Sequence, residues 1–264
     1  MLMSDFLLTR KSIRTFKKKK LNSGSIEQIT DIIASINDAT ENVQYMLFLN
    51  GSDIAEKLEG KAGYGGVMIK APAYIGMHIL KEEPNAYING AFYLEKLISK
   101  LKGIGLGSCW VTLLDVDETE LKNVFDYSEG SIRYVLAVGY PPRDLNIGQS
   151  TYSSRLGVED YVFDGELGNK ISIAELEKLG LDDLFYYLRM APSSYNKQPW
   201  RFVIDDNKVK LYVADPKNIN DFVDVGIIIY YYNELAKTIG MNPKWELNVT
   251  KVDGDFDYIG ETTI

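Results

Sequence analysis

Apolar residues recur along this chain in two rhythms, and the same succession of rhythms occurs twice. Ile26, Ile29, Ile33 and Ile36 stand at helical spacing behind a Ser25–Gln28 pair that reads as a capping box. A polar loop over residues 37–42 gives way to a strand-like run, Tyr45 to Leu49. A glycine-rich loop, Gly63 to Gly66, leads to a second apolar strand over Ala73 to Ile79. A long helix is predicted from about Asn89, with Ala91, Leu94, Ile98 and Leu101 on one face and a stop at Gly103 and Gly105. A further strand covers Arg133 to Val138.

The later part repeats the plan. A helix over Leu181 to Met190 precedes a loop, Ala191 to Pro199, and the strand Arg201 to Ile204. A turn at Asp205, Asp206 and Asn207 joins it to the strand Val209 to Val213. A second long helix carries Val225, Ile228, Tyr232, Leu235 and Ile239, stops at Gly240, and is followed by a strand near Glu246 to Val252. Gly105 to Trp110 and Gly240 to Trp245 share one spacing after the long helices. Asn42-x-Gln44 and Asn196-x-Gln198 form a second matching pair. A tandem duplication accounts for both. The expected organisation is a first half over residues 1–145, a polar connector over 146–169, and a shorter second half over 170–264.

Composition narrows the possibilities. The 264 residues suffice for a sizeable core, and the ordinary balance of apolar and charged residues excludes wholesale disorder. A formal net charge of −8 argues against a nucleic-acid partner. One cysteine, Cys109, precludes an internal disulfide and fits a cytoplasmic setting. The first residues lack the pattern of a signal peptide, and no apolar run reaches membrane-spanning length, so no membrane partner is expected.

Two strings carry candidate chemistry. Arg10-Lys11-Ser12-Ile13-Arg14-Thr15-Phe16 concentrates cations and hydroxyls into an anion grip, because a guanidinium presents a fixed fork of donors to phosphate oxygens. The following Lys17 to Lys20 read as a solvated basic face. Ala191-Pro192-Ser193-Ser194-Tyr195-Asn196-Lys197-Gln198-Pro199-Trp200 is stiffened by two prolines and rich in small hydrogen-bonding groups. Such a loop can lie against a flat heteroaromatic ring and bond its polar edge.

Residues 191–202 resemble the A-P-S-x-x-N-x-Q-P-W-x-F signature of the FMN-dependent nitroreductases. Residues 10–16 resemble that family's N-terminal R-R-S-x-R-x-F, Gly105 to Trp110 its G-L-G-S-C-W segment, and Ala137 to Pro141 its late strand and G-Y-P turn. The resemblance implies an α+β, nitroreductase-like fold with antiparallel-rich sheets flanked by helices, two tandem halves forming an intrachain pseudo-dimer. Ordinary members are homodimers whose subunits each carry both motifs. Here the grip stands only in the first half and the Pro-Ser-Ser loop only in the second; the matching place in the first half reads Asp38-Ala39-Thr40-Glu41-Asn42. That paired loss resembles the single-chain members and implies one composite FMN site per chain.

Carried over by motif, Arg10, Lys11, Ser12 and Arg14 hold the FMN phosphate and ribityl chain, with Arg155 as a further phosphate partner and Arg143 a weaker candidate. Pro192, Ser193, Ser194 and Asn196 contact the ring, and the amides of Thr112 and Leu113 face its N5 and O4 edge. NADH or NADPH is the implied cosubstrate and a small oxidised molecule, such as a nitroaromatic or quinone, the implied acceptor. No obligate side-chain catalyst and no metal are expected. A flavin-binding store, sensor or partner protein with little turnover remains the alternative, and the fused chain can be a monomer or pair again.

Other features read as structural. Gly103-x-Gly105-x-Gly107 follows a helix rather than a strand, so it fails the context of a dinucleotide fingerprint. His78 and Cys109 lack partner motifs, and Tyr230, Tyr231 and Tyr232 read as helix-core packing.

Overall fold

The computed structural model describes residues 2–142, 154–214, 216, 218–251 and 254–264. In chain order the first elements are α1 (Met3–Thr9), α2 (Ser23–Asn37), β1 (Val43–Phe48), α3 (Gly51–Leu58), β2 (Ala73–Ile79) and α4 (Pro84–Gly103). They are followed by β3 (Gly107–Thr112), α5 (Glu118–Phe125), β4 (Ser131–Gly139) and β5 (Val162–Asp164). The remainder forms α6 (Ile173–Leu179), α7 (Asp182–Leu188), β6 (Trp200–Asp205), β7 (Lys208–Ala214), α8 (Ile219–Thr238), β8 (Glu246–Lys251) and β9 (Phe256–Thr263). None of the described helices is long and apolar enough to cross a membrane.

Two compact units result, and neither is one continuous stretch. The N-terminal unit comprises Lys11–Ala86 and Tyr93–Ser150. The C-terminal unit comprises Met1–Arg10, Tyr87–Phe92 and Thr151–Ile264. This division differs from the expected halves for two physical reasons. Helix α1 buries Phe6 and Leu7, and the Phe6 ring stacks on Tyr231 of α8 at 6.2 Å between centroids. Part of the expected connector is ordered structure: β5 pairs in parallel with β6, and Tyr161, Val162 and Phe163 are buried there.

In the N-terminal unit four antiparallel strands lie in the order β1-β2-β4-β3. Strand β2 is buried at every residue, as its unbroken apolar run requires. Ile54 and Leu58 of α3 pack into one core with Val111, Leu121, Phe125 and Val135. Helix α2 buries Ile29, Ile33 and Ile36, as their spacing predicts, but it begins earlier than expected. Asn22 is its N-cap, accepting from the Ser25 amide at 2.8 Å. The Ser25 hydroxyl, read as the cap, instead meets the Tyr140 hydroxyl at 3.0 Å.

In the C-terminal unit the order is β5-β6-β7-β9-β8. Setting β5 aside, β6-β7-β9-β8 reproduces the order β1-β2-β4-β3, and α8 interrupts the second sheet where α4 interrupts the first. The expected closing strand is two strands, β8 and β9. Helix α8 starts at a capping box of Asn218 and Asp221 and is apolar around its circumference. Gly226 on α8 is pressed against the 87–92 stretch: a Cβ there would fall 2.1 Å from the Ile88 carbonyl oxygen and 2.8 Å from the Ala91 Cβ.

The Trp110 and Trp245 indoles each donate to a polar side chain of the preceding long helix, Glu95 Oε1 at 2.8 Å and Asn233 Oδ1 at 2.9 Å. The second matching pair is not structurally equivalent. Gln44 is an exposed residue inside β1, whereas Gln198 is buried in the loop ahead of β6.

Gly226→Ala introduces a methyl group where backbone stands and is expected to destabilise the chain by about 1–3 kcal/mol. Thermal unfolding measures this directly; an unchanged midpoint would contradict the close packing of α8.

Candidate functional site

The anion-grip segment is laid along the edge of the first sheet. The Ile13 amide donates to the Ser108 carbonyl of β3, and the Lys17 amide to the Tyr140 carbonyl, both at 2.9 Å. The glycines of two sequence motifs make this possible. Gly107 and Gly139 face one another across β3 and β4. A Cβ at Gly107 would lie 2.7 Å from the Ile13 side chain, and one at Gly139 would lie 2.9 Å from the Phe16 ring and 2.7 Å from Pro72. Ile13 and Phe16 thus turn toward the sheet, while Lys11 and Arg14 are exposed and Ser12 is half-buried.

The same strand edge gathers the glycine-rich loop. The Gly63 amide donates to the Thr112 carbonyl at 2.8 Å. In an antiparallel strand the N–H and C=O of one residue point the same way, so the Thr112 amide also faces the outer edge of β3. Leu113 points oppositely: its amide donates to the Arg133 carbonyl at 2.8 Å. That group is therefore engaged within the N-terminal unit rather than turned outward.

The C-terminal unit holds the Pro-Ser-Ser loop in a conformation that few residues adopt. Tyr195, Asn196 and Gln198 have φ of 53°, 58° and 49°, in the left-handed region. Such residues cost about 1–3 kcal/mol each and persist only where surrounding bonds fix them. The Ser193 hydroxyl accepts from the Gln198 amide at 2.9 Å, and the Ser193 carbonyl from the Asn196 amide at 3.0 Å. Gln198 receives the Leu156 amide at 3.0 Å. Beneath the loop, the Asp224 carboxylate of α8 accepts the Ser194 amide at 2.8 and 3.1 Å.

Arg10 and Arg155 come together in this unit. The Arg155 guanidinium is held below its usual pKa, first by burial and then by the positive charge of Arg10. Arg155 donates to the Asn196 side-chain oxygen, while the Asn196 nitrogen donates to the Ser154 carbonyl at 2.8 Å. Asn196 therefore both fixes the loop and aims Arg155. Pro192, Ser193 and Ser194 are half-buried on the same loop, and Tyr195 is exposed. Arg143 lies outside the described residues.

Asp224 was not singled out by sequence reasoning. Its signal was a second carboxylate, after Asp221, inside an apolar run. Burial, with Asp221 nearby, pushes its pKa up to about 8, against the opposing effects of the Ser194 amide and Lys197. His78 is structural, with Nε2 2.7 Å from the Glu129 carbonyl and its ring beside Tyr127. Cys109 is buried in the first core. Tyr230 packs on Phe92, Tyr231 on Phe6, and Tyr232 on Phe202 and Trp245. Gly103 ends α4, Gly105 takes φ of 78° and Gly107 opens β3, a helix-to-strand joint.

A raised carboxyl pKa gives a definite sign. The stability that protonated Asp224 contributes is complete below the unfolded carboxyl range and is lost as pH rises toward about 8. Asp224→Asn keeps an acceptor for the Ser194 amide and removes that titration. Its unfolding midpoint is expected to fall less than the wild type's between acid and mildly alkaline pH. Parallel profiles would contradict a protonated Asp224.

Residues 4–235 match the family model described as "Putative TM nitroreductase". A solved structure from Thermotoga maritima, described as a "putative nitroreductase", is 17% identical, with 98% of this chain and 93% of that chain covered at a TM-score of 0.62. An FMN-dependent nitroreductase from Clostridium difficile is 17% identical over 56% of this chain and 90% of that one, with a TM-score of 0.45. No curated protein matches. The match spans both units and includes the grip and the Pro-Ser-Ser loop, and by it the chain belongs to this nitroreductase family.

Proposed function

We propose that this chain is an FMN-dependent oxidoreductase that takes reducing equivalents from NADH or NADPH and delivers them to a small oxidised acceptor, such as a nitroaromatic or quinone. The observation that carries the reading is the pairing of Arg10 with Arg155 beside a bond-locked Pro-Ser-Ser loop. Two neighbouring guanidinium groups present several N–H donors, and a phosphate dianion would accept charge-assisted, bidentate hydrogen bonds from them. The residues therefore fit the phosphate end of FMN. Lys11, Ser12 and Arg14 follow Arg10 directly in the chain and extend the same series of donors.

Pro192, Ser193 and Ser194 would offer a rigid, low-bulk surface and polar groups to the flavin ring. The outward Thr112 amide would be a donor for its polar edge; Leu113 leaves that role because its amide is engaged. When bound, FMN supplies the redox-active ring that exchanges hydride with a nicotinamide and electrons with the acceptor. The protein's part is to bind, orient and stabilise negative charge through fixed cations and amides, with no obligate side-chain acid or base. The repeated strand order of the two sheets supports a tandem origin by duplication.

Arg155→Ala tests the phosphate role. It is expected to weaken FMN binding about 10–100-fold, the equivalent of one charged hydrogen-bonding partner. With the wild-type chain under anaerobic conditions, NADH or NADPH is expected to bleach the flavin band. Unchanged FMN affinity in the variant would overturn the assignment of Arg155. Bound flavin that neither nicotinamide reduces would replace the enzyme reading with a storage or sensing role.

A further inference from the structure

We propose that the N-terminal unit carries a separate anion site, a cavity walled by Lys17–Lys20 and the start of α3, that takes the phosphate groups of a small nucleotide. The cavity measures about 820 Å³ and is lined by Lys17–Lys20, Lys70, Asn50 and Gly51 among others. That size falls in the range of small-molecule pockets. The sequence alone reads these lysines as a solvated face, and all four are exposed; the structure adds that they stand along one wall of this cavity.

Lys17 and Lys19 are held in place from behind. The Lys17 amide is fixed on the Tyr140 carbonyl at 2.9 Å, and the Lys19 amide closes a three-residue turn onto the Lys17 carbonyl at 2.7 Å. The Lys19 ammonium sits 4.3 Å from the centroid of the Tyr140 ring. Tyr140 is itself anchored, its hydroxyl meeting the Ser25 hydroxyl at 3.0 Å and the Asn22 amide at 3.2 Å. Ser25 and Asn22 thus tie the lysine turn to the start of α2.

The charge in the cavity is unbalanced. Among the described residues none of Lys17–Lys20 forms an ion pair with a carboxylate. The lining carboxylates are mostly answered already: Asp53 by Lys57 at 3.0 Å and Glu59 by Lys70 at 3.3 Å, leaving Glu56. Asn50, at the N-cap of α3, makes no side-chain cap bond to the helix and donates to Asp53 at 3.3 Å instead. Gly51 is pressed onto the chain behind it; a Cβ would fall 2.2 Å from the Ala71 carbonyl oxygen.

A concave site in a chain of net charge −8 favours a compact polyanion over a long one, since a nucleic acid would meet the acidic remainder of the surface. Phosphate groups on a nucleotide supply that compact charge. Two sources share the chemistry: a free nucleotide, or the phosphorylated adenosine end of a nicotinamide cofactor.

Isothermal titration of the full, flavin-loaded chain with inorganic pyrophosphate, ADP and adenosine 2′,5′-bisphosphate tests this, with the double variant Lys18→Gln/Lys20→Gln beside the wild type. The wild type is expected to bind at low ionic strength and to lose affinity with added salt. The variant is expected to bind about ten-fold more weakly. Its FMN content should equal the wild type's, which separates failure here from failure of the flavin reading. Displacement of bound ADP by intact NADH or NADPH points to the cofactor as source, and ADP that neither displaces to a free nucleotide; both support the site. Absence of binding, equal affinity in the variant, or displacement of all three by a single-stranded oligonucleotide would overturn it.

Discussion

The C-terminal unit depends on one helix that has almost nothing to show to solvent. Most amphipathic helices bury a stripe; α8 is buried around its circumference, so each turn requires a partner. Phe6 of α1 meets Tyr231, Phe92 meets Tyr230, Phe202 of β6 meets Tyr232, and Gly226 admits the Ile88 backbone. This demand explains why α1 and residues 87–92, remote in sequence, belong to the C-terminal unit. It also brings Arg10, the residue after α1, into the unit that holds Arg155 and the Pro-Ser-Ser loop. Core packing thereby places candidate chemistry.

The same helix supplies the anchor of that loop. Ser194 hangs from Asp224 by its amide, Asn196 is held between Arg155 and Ser154, and Gln198 is tied to Ser193 and Leu156. Three left-handed residues in four persist because these bonds over-determine them. In the N-terminal unit the corresponding device is absence of bulk. Gly107 and Gly139 let the grip segment lie flat on the sheet edge, so motifs that look chemical in sequence act by steric permission.

Much of this was legible in the sequence where a signal is local. The unbroken apolar run of β2, the stripe of α2, the long helices and the β6–β7 turn follow from periodicity and turn chemistry, and the motif strings point to the family. Elements fixed by distant partners were not legible. Strand β5 has three residues and exists by pairing with β6. The N-cap of α2 is Asn22, and the Ser25 hydroxyl is engaged by Tyr140, a residue 115 positions away. The Asn-x-Gln match failed because Gln44 sits inside a strand whereas Gln198 sits in a strained loop. Asp224 and the lysine cavity were hidden for the same reason: their meaning lies in what packs around them.

The account's central claim is that one flavin site survives in a chain whose two sheets share a strand order. The most direct measurement is the amount of FMN released on denaturing the purified, flavin-saturated chain, divided by the amount of protein. The account predicts one FMN per chain. Two per chain would contradict the loss of the twin site, and a chain that takes up no added FMN would contradict the flavin assignment itself.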